Sequence, residues 1–195
     1  MPHTSAANPL LILDLNGVLV LSQHRRAPNN APVDYRANRK YVYRRPGVAD
    51  FLDFVFAHFD VAIWTSNQRH NAEATVDGLL DREQREQLKF LWAREQCTPL
   101  PNWRSRKSIH KVREHPSYRH YRRIFVLDDS PEKIEGATAC INDDPITFRR
   151  SIHAGGSGEA SVIYVPVRSF VDPLEEGTGE LRRLQSLLWY HRVHD

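Results

Sequence analysis

Leu10-Leu11-Ile12-Leu13-Asp14-Leu15-Asn16-Gly17 is the stretch on which the reading of this chain turns. Four consecutive apolar residues, without the alternation of a half-solvated strand, describe a strand buried on both faces, the kind found in parallel sheets. An aspartate directly behind such a run needs a reason, because Asp is depleted in strands and costly to bury alone. Three further runs have the same character: Val61-Ala62-Ile63-Trp64, Ile124-Phe125-Val126-Leu127 and Val162-Ile163-Tyr164-Val165. Amphipathic stretches lie between them. Pro46 is placed to open a helix at its first turn, along which Val48, Phe51, Leu52, Val55, Phe56 and Phe59 recur at helical spacing. A second helix is expected over residues 68–80 with Asn67 as N-cap, and a third over 179–190, where Leu181, Leu184 and Leu188 share a face. Strands alternating with helices describe a three-layer α/β/α sandwich around a central parallel sheet.

The 195 residues fit a single domain spanning 1–195, with 1–8 expected as a flexible N-terminus. Hydrophobic residues make up 41% and charged residues 26%, ordinary values for a globular protein. No apolar run is long enough to span a bilayer, and the first residues lack the pattern of a secretory signal. Cys97 and Cys140 form no metal or redox spacing and read as free thiols of a reduced, intracellular protein, nuclear or cytoplasmic. The net charge is only +3, but basic residues gather at Arg25-Arg26 and within 36–45, 104–113 and 119–123. Such clusters suit an anionic partner, although a charge run also serves simply as a solvated face. Residues 22–39, polar and holding Pro28 and Pro32, read as a long excursion, and 153–159 as a flexible glycine-rich surface loop. That glycine run follows no strand and is no phosphate cradle. Trp64, Trp92, Trp103 and Trp189 are scattered and read as core or loop anchors, so no stacking platform for nucleic acid is evident. The ten histidines form no zinc spacing, and neither cysteine precedes a phosphate-cradling loop.

The informative pattern lies at the carboxyl ends of the strands. The first run ends in Asp14, the second in Thr65 and the third in Asp128-Asp129. In open parallel sheets ligands bind beyond the carboxyl ends of the strands. Three carboxylates converging there would repel one another unless a hard cation with oxygen ligands, most simply Mg²⁺, sits among them. Taken singly, each Asp could merely end its strand; as a set they describe a site.

Asp14-Leu15-Asn16-Gly17-Val18-Leu19 resembles the first motif of haloacid-dehalogenase-type phosphatases. Arg44-Arg45-Pro46-Gly47-Val48 looks like the branch that dephosphorylates the C-terminal tail of RNA polymerase II, which includes the small C-terminal-domain phosphatases and NLI-interacting-factor-like domains. Thr65-Ser66 is similar to that branch's second motif, Lys107-Ser108-Ile109-His110-Lys111-Val112 to the stretch holding its lysine, and Val126-Leu127-Asp128-Asp129-Ser130-Pro131 to its fourth motif. The resemblance implies that Asp14 attacks phosphorus to form an aspartyl-phosphate and that Thr65 and Lys107 bind the phosphoryl group. It implies Mg²⁺ held by Asp14, the backbone carbonyl of Asn16 and Asp128, with Asp129 as a further ligand, and a phosphorylated protein or peptide as partner. On motif alignment Lys107, rather than Lys111, is the phosphate-binding lysine.

The departure from the pattern is Asn16, where the family places the aspartate that protonates the leaving oxygen and then activates water. An amide cannot shuttle that proton. Losing a general acid–base costs about 10²–10⁴-fold in rate. A weak phosphatase, a phosphopeptide-binding pseudophosphatase or module like the family's mitochondrial import receptor, and a chain engineered to trap a complex all fit this residue. Asn16-Gly17 is also a deamidation-prone pair, which bears on any trace activity of a preparation.

Overall fold

The computed structural model describes residues 8–141, 161–174 and 179–193. Residues 1–7 and 153–159, which the sequence reading treats as flexible, lie outside the described residues. In chain order the strands are β1 (Leu10–Leu13), β2 (Val20–Gln23), β3 (Tyr35–Ala37), β4 (Lys40–Arg44), β5 (Asp60–Trp64), β6 (Leu91–Trp92), β7 (Thr98–Pro99), β8 (Ser105–Ser108), β9 (Arg123–Asp128), β10 (Ile134–Glu135), β11 (Ala139–Cys140) and β12 (Ser161–Pro166). The helices are α1 (Val48–His58), α2 (Arg69–Leu79), α3 (Arg82–Gln87), α4 (His110–Glu114) and α5 (Gly179–Val193).

The four apolar runs form the four inner strands of a six-stranded, wholly parallel sheet in the order β11-β12-β9-β1-β5-β6. Because side chains alternate along a strand, the runs feed two separate cores. Leu11, Leu13, Val61, Ile63, Phe125, Leu127, Ile163 and Val165 face one side and pack with residues of α1, α2 and α5. Leu10, Ile12, Ala62, Trp64, Ile124, Val126 and Val162 face the other, against Ile109, Val112, Phe90 and Tyr121. Both faces are therefore dry, which is why the runs are continuous rather than alternating. Leu181, Leu184 and Leu188 of α5 join the first core.

Two helix starts differ from the sequence reading. Arg45-Pro46-Gly47-Val48 is a tight turn before α1: Val48 N–H donates to the Arg45 carbonyl at 3.0 Å, and Gly47, the N-cap, sits at φ 81°, ψ 8°. Pro fixes the first turn position and Gly supplies the positive φ of the second, as a type II turn requires. Pro46 thus precedes the helix instead of lying in its first turn. The N-cap of α2 is Gln68, not Asn67, and its side chain makes no capping bond. Asn67 is occupied elsewhere: its N–H reaches Thr65 Oγ1 at 3.3 Å and its carbonyl accepts from Arg94 N–H at 2.8 Å.

The excursion over 22–39 belongs to an antiparallel sheet in the order β2-β4-β3 that stands beside the strand ends. A small core of Leu21, Ala27, Ala31, Tyr43 and Phe170 holds it, and the Tyr43 hydroxyl accepts from Ala27 N–H at 2.8 Å. Its tip is tied to α2, where Tyr35 donates to the Thr75 carbonyl at 2.8 Å. Gly78 makes room for that ring, since a Cβ there would lie 2.3 Å from it. The apolar positions of this flap are too isolated to form a sequence period, so the segment reads as polar.

Candidate active site

Register places the chemistry. Leu13 is level with Ile63 on one side and Leu127 on the other, so the next residue of each strand emerges at a common edge. Asp14 and Asp128 therefore leave adjacent strands, about 4.8 Å apart by strand spacing, and Asp14 N–H donates to the Leu127 carbonyl at 3.0 Å. Lys107, from β8 outside the central sheet, inserts its ammonium between them, at 2.9 Å from Asp14 Oδ1 and 2.6 Å from Asp128 Oδ2. All three side chains are buried. Asp129 is less buried, and both of its oxygens accept from hydroxyls: Ser130 Oγ at 2.9 Å and Ser169 Oγ at 2.6 Å. Gly17 is indispensable to this approach. It sits at φ 86°, and a Cβ there would fall 2.1 Å from Asp129 Oδ2.

Asp14, Asp128 and Asp129 bring ligand oxygens within 4.8 Å of one another. Three carboxylates against one ammonium leave a surplus of two negative charges, which matches a divalent cation, and the all-oxygen donor set suits Mg²⁺. Burial pushes the Asp128 carboxyl up to about 6, with the Lys107 charge opposing. For Lys107 burial pulls down, but the charges of Asp14 and Asp128 prevail and hold the ammonium above its ordinary value. The lysine is thus a fixed cation.

Thr65 is buried one residue beyond β5, and its Oγ1 accepts from Asn67 N–H, which leaves the hydroxyl hydrogen available to a ligand. Asn16 is exposed, and its Oδ1 accepts from Ser22 N–H at the base of the flap at 2.6 Å. Among the described residues no hydrogen bond joins Thr65 or Asn16 to the carboxylates. Lys111, the weaker candidate, is exposed and donates to the Gln96 carbonyl at 2.9 Å, away from the carboxylates. Burial raises the thiols of both Cys97 and Cys140, so neither is poised as a thiolate.

Several contributors were not singled out by sequence reasoning. Arg45 is buried and donates to the carbonyls of Gly17 at 3.3 Å, Val18 at 3.1 Å and Arg168 at 2.7 Å. It ties the loop after Asp14 to the loop after β12 and so belongs to the scaffold, not to the basic surface suggested by its cluster. Tyr164 donates to the Asp128 carbonyl at 3.0 Å. Ser169 follows the fourth strand, so the strand-end rule that located Asp14 and Asp128 could have found it. Arg94, whose Nε donates to the Ser66 carbonyl at 2.8 Å, carried no sequence signal beyond its charge.

A six-stranded parallel sheet packed on both faces defines an α/β fold with its site at the strand ends. A family model described as NLI interacting factor-like phosphatase matches residues 9–140, and the chain belongs to that family. It is 28% identical over 152 residues to the CTD nuclear envelope phosphatase 1 homolog of Drosophila melanogaster, covering 71% of this chain and 58% of that protein. It is 35% identical over 85 residues to an FCP1 homology domain-containing protein of Schizosaccharomyces pombe, covering 44% of this chain and 34% of that one. Among solved structures, fission yeast RNA polymerase II CTD phosphatase Fcp1 superposes with a TM-score of 0.54 at 12% identity, over 95% of this chain and 62% of that one, a likeness of fold. The chain thus spans only a third to under two thirds of these relatives. Among the described residues no helix is long and apolar enough to cross a membrane.

Proposed function

We propose that this chain is a Mg²⁺-dependent phosphoric monoester hydrolase acting on phosphoserine or phosphothreonine in a protein or peptide, slowed by Asn16. The observation that carries the reading is the buried Asp14–Lys107–Asp128 bridge with Asp129 beside it. Asp14, Asp128 and Asp129, with the backbone carbonyl of Asn16, would hold Mg²⁺, which neutralises phosphoryl oxygens when bound. Lys107 engages only Oδ1 of Asp14, leaving Oδ2 without a described donor to act as nucleophile. Oδ2 attacks phosphorus, the bond to the leaving oxygen breaks, and an aspartyl-phosphate results. The Thr65 hydroxyl and the Lys107 ammonium stabilise the transferred phosphoryl group. The leaving oxygen then departs unassisted, because the Asn16 amide has no proton to give, and the same amide cannot activate the water that would release phosphate. Good leaving groups suffer least. The domain is taken to run over 1–195 and to work in the nucleus or cytoplasm.

The test compares the chain with Asn16→Asp and Asp14→Asn on an aryl phosphate and a phosphoserine peptide in Mg²⁺. Asn16→Asp gains about 10²–10⁴-fold on the peptide, and less on the aryl ester. Equal turnover by the two variants would sink the catalytic reading. The exposed Asn16 amide, already satisfied by Ser22 N–H, favours a second reading, a phosphopeptide-binding module of the import-receptor kind. Tight peptide binding with no hydrolysis by either the chain or Asn16→Asp would select it.

A further inference from the structure

The turn joining β7 to β8 carries features that the chemistry of Asp14 does not use. Asn102 and Trp103 both sit at φ 60°, the left-handed region that glycine fills without strain. Trp103 is 93% exposed, the largest exposure among the big apolar side chains described. It is therefore not the loop anchor that its isolation in the sequence suggested. The chain holds its most amphipathic side chain outward at a position where a small residue would be more comfortable.

The surroundings are those of a recognition surface. Trp103 lines a cavity of about 540 Å³ with Arg94, Cys97, Leu100, Arg104 and Ser105. Two links tie this cavity to the candidate active site. Ser105 and Lys107 lie two apart on β8 and so on one face of it, and the Cys97 thiol donates to the Thr65 carbonyl at 3.8 Å. The charge there is positive. Arg94 and Arg104 form no salt bridge among the described residues; Glu95, which also lines the cavity, accepts from Arg69 N–H and feels the charges of both Arg69 and Arg94. Lys40, from the flap, lies near enough to Arg94 that, after burial, the arginine's charge further lowers its ammonium. An excess of cations over the one carboxylate, beside an exposed indole, suits an extended acidic segment that also presents an apolar side chain.

We infer that the β7–β8 turn docks the polypeptide flanking the phosphorylated residue, with Trp103 packing against an apolar substrate side chain and Arg104 against a neighbouring carboxylate. The inference rests on the phosphoprotein reading above. From Trp103 in the turn to Lys107 on β8 is four residue steps, roughly 13 Å at full extension. An extended substrate covers that span in about four residues, so the apolar residue lies about four positions from the phosphate.

The experiment uses the full chain and fluorescein-labelled phosphoserine peptides in which one isoleucine is walked from two to six positions away, on either side, in a serine- and glutamate-containing background. Fluorescence anisotropy measures each Kd. Binding is expected to peak near four positions on one side, roughly tenfold tighter than with serine there, and Trp103→Ser is expected to flatten the profile. A flat profile in the unaltered chain, or the same peak in Trp103→Ser, overturns the inference while leaving the phosphatase reading intact, provided free phosphoserine displaces the peptides. If no peptide binds and no aryl phosphate is cleaved, the parent reading fails and takes this one with it. A 3′-phosphorylated oligonucleotide that binds more tightly than every peptide, and loses that advantage in Trp103→Ser, would reassign the surface to nucleic acid.

Discussion

Replacing Lys107 with methionine tests the charge balance on which the site depends. The ammonium lies 2.9 Å from Asp14 Oδ1 and 2.6 Å from Asp128 Oδ2, with side-chain exposures of 3%, 6% and 0%. At an effective dielectric of about 20, each contact is worth roughly 6 kcal/mol of Coulomb attraction before desolvation is subtracted. Methionine matches the stem but leaves two buried carboxylates facing each other, and breaking a buried ion pair on one side costs about 3–5 kcal/mol. In a chain of this size each kcal/mol lowers Tm by about 2–4 °C, so a drop of about 6–20 °C is expected in EDTA at pH 7.5. The pH dependence has a definite sign. Asp128 already titrates at about 6, above its ordinary value of 3.8, so its ionisation costs stability above pH 6 and costs nothing below about 4. Losing Lys107 raises it further. The deficit of the variant therefore shrinks as pH falls from 7.5 towards 5. Magnesium should restore part of the loss, because a cation at 100 times its Kd contributes about 2.7 kcal/mol. Thermal unfolding followed by circular dichroism, with EDTA or Mg²⁺ at both pH values, measures all of this. A variant melting within 2 °C of the parent in EDTA at pH 7.5 would refute the idea that Lys107 holds the two carboxylates together.

Gly17→Ala forces a Cβ to 2.1 Å from Asp129 Oδ2 in a left-handed backbone, so Asp129 must move. A loss of about 1–3 kcal/mol in stability and a 10–100-fold weaker Mg²⁺ affinity by calorimetry are expected; unchanged affinity would remove Asp129 from the cation site. Arg45→Met leaves three carbonyls without their guanidinium donor, at Gly17, Val18 and Arg168. Chemical unfolding should report a loss of about 3–5 kcal/mol, and a loss under 1 kcal/mol would mean that the two loops hold their places without it.

The sheet was legible because burial on both faces is a local constraint, written into every residue of the runs at Leu10, Val61, Ile124 and Val162. The strand-end rule then carried Asp14, Thr65, Asp128 and Asp129 to one edge, since parallel strands entering a sheet in register must leave it together. Lys107 was found only by resemblance, because β8 lies outside the central sheet and its basic neighbours Arg106 and Lys111 are equivalent to it in composition. The flap escaped notice because its apolar residues contact partners such as Phe170 rather than one another along the chain. Pro46 and Asn67 misled because each suits a helix start by type, while hydrogen bonds to more distant residues assigned them elsewhere.

By itself, then, the sequence determined that this is a parallel α/β domain with carboxylates at its strand ends, while the significance of the Asn16 amide came from the family resemblance. Those properties depend on residue type and on spacing within single elements. Only the tertiary structure decided that Lys107 bridges Asp14 and Asp128, that Ser169 and Gly17 admit Asp129, that Arg45 is scaffold and that Trp103 faces solvent. Each of these depends on distance between segments far apart in the chain, and burial, charge and hydrogen bonding act through distance in space.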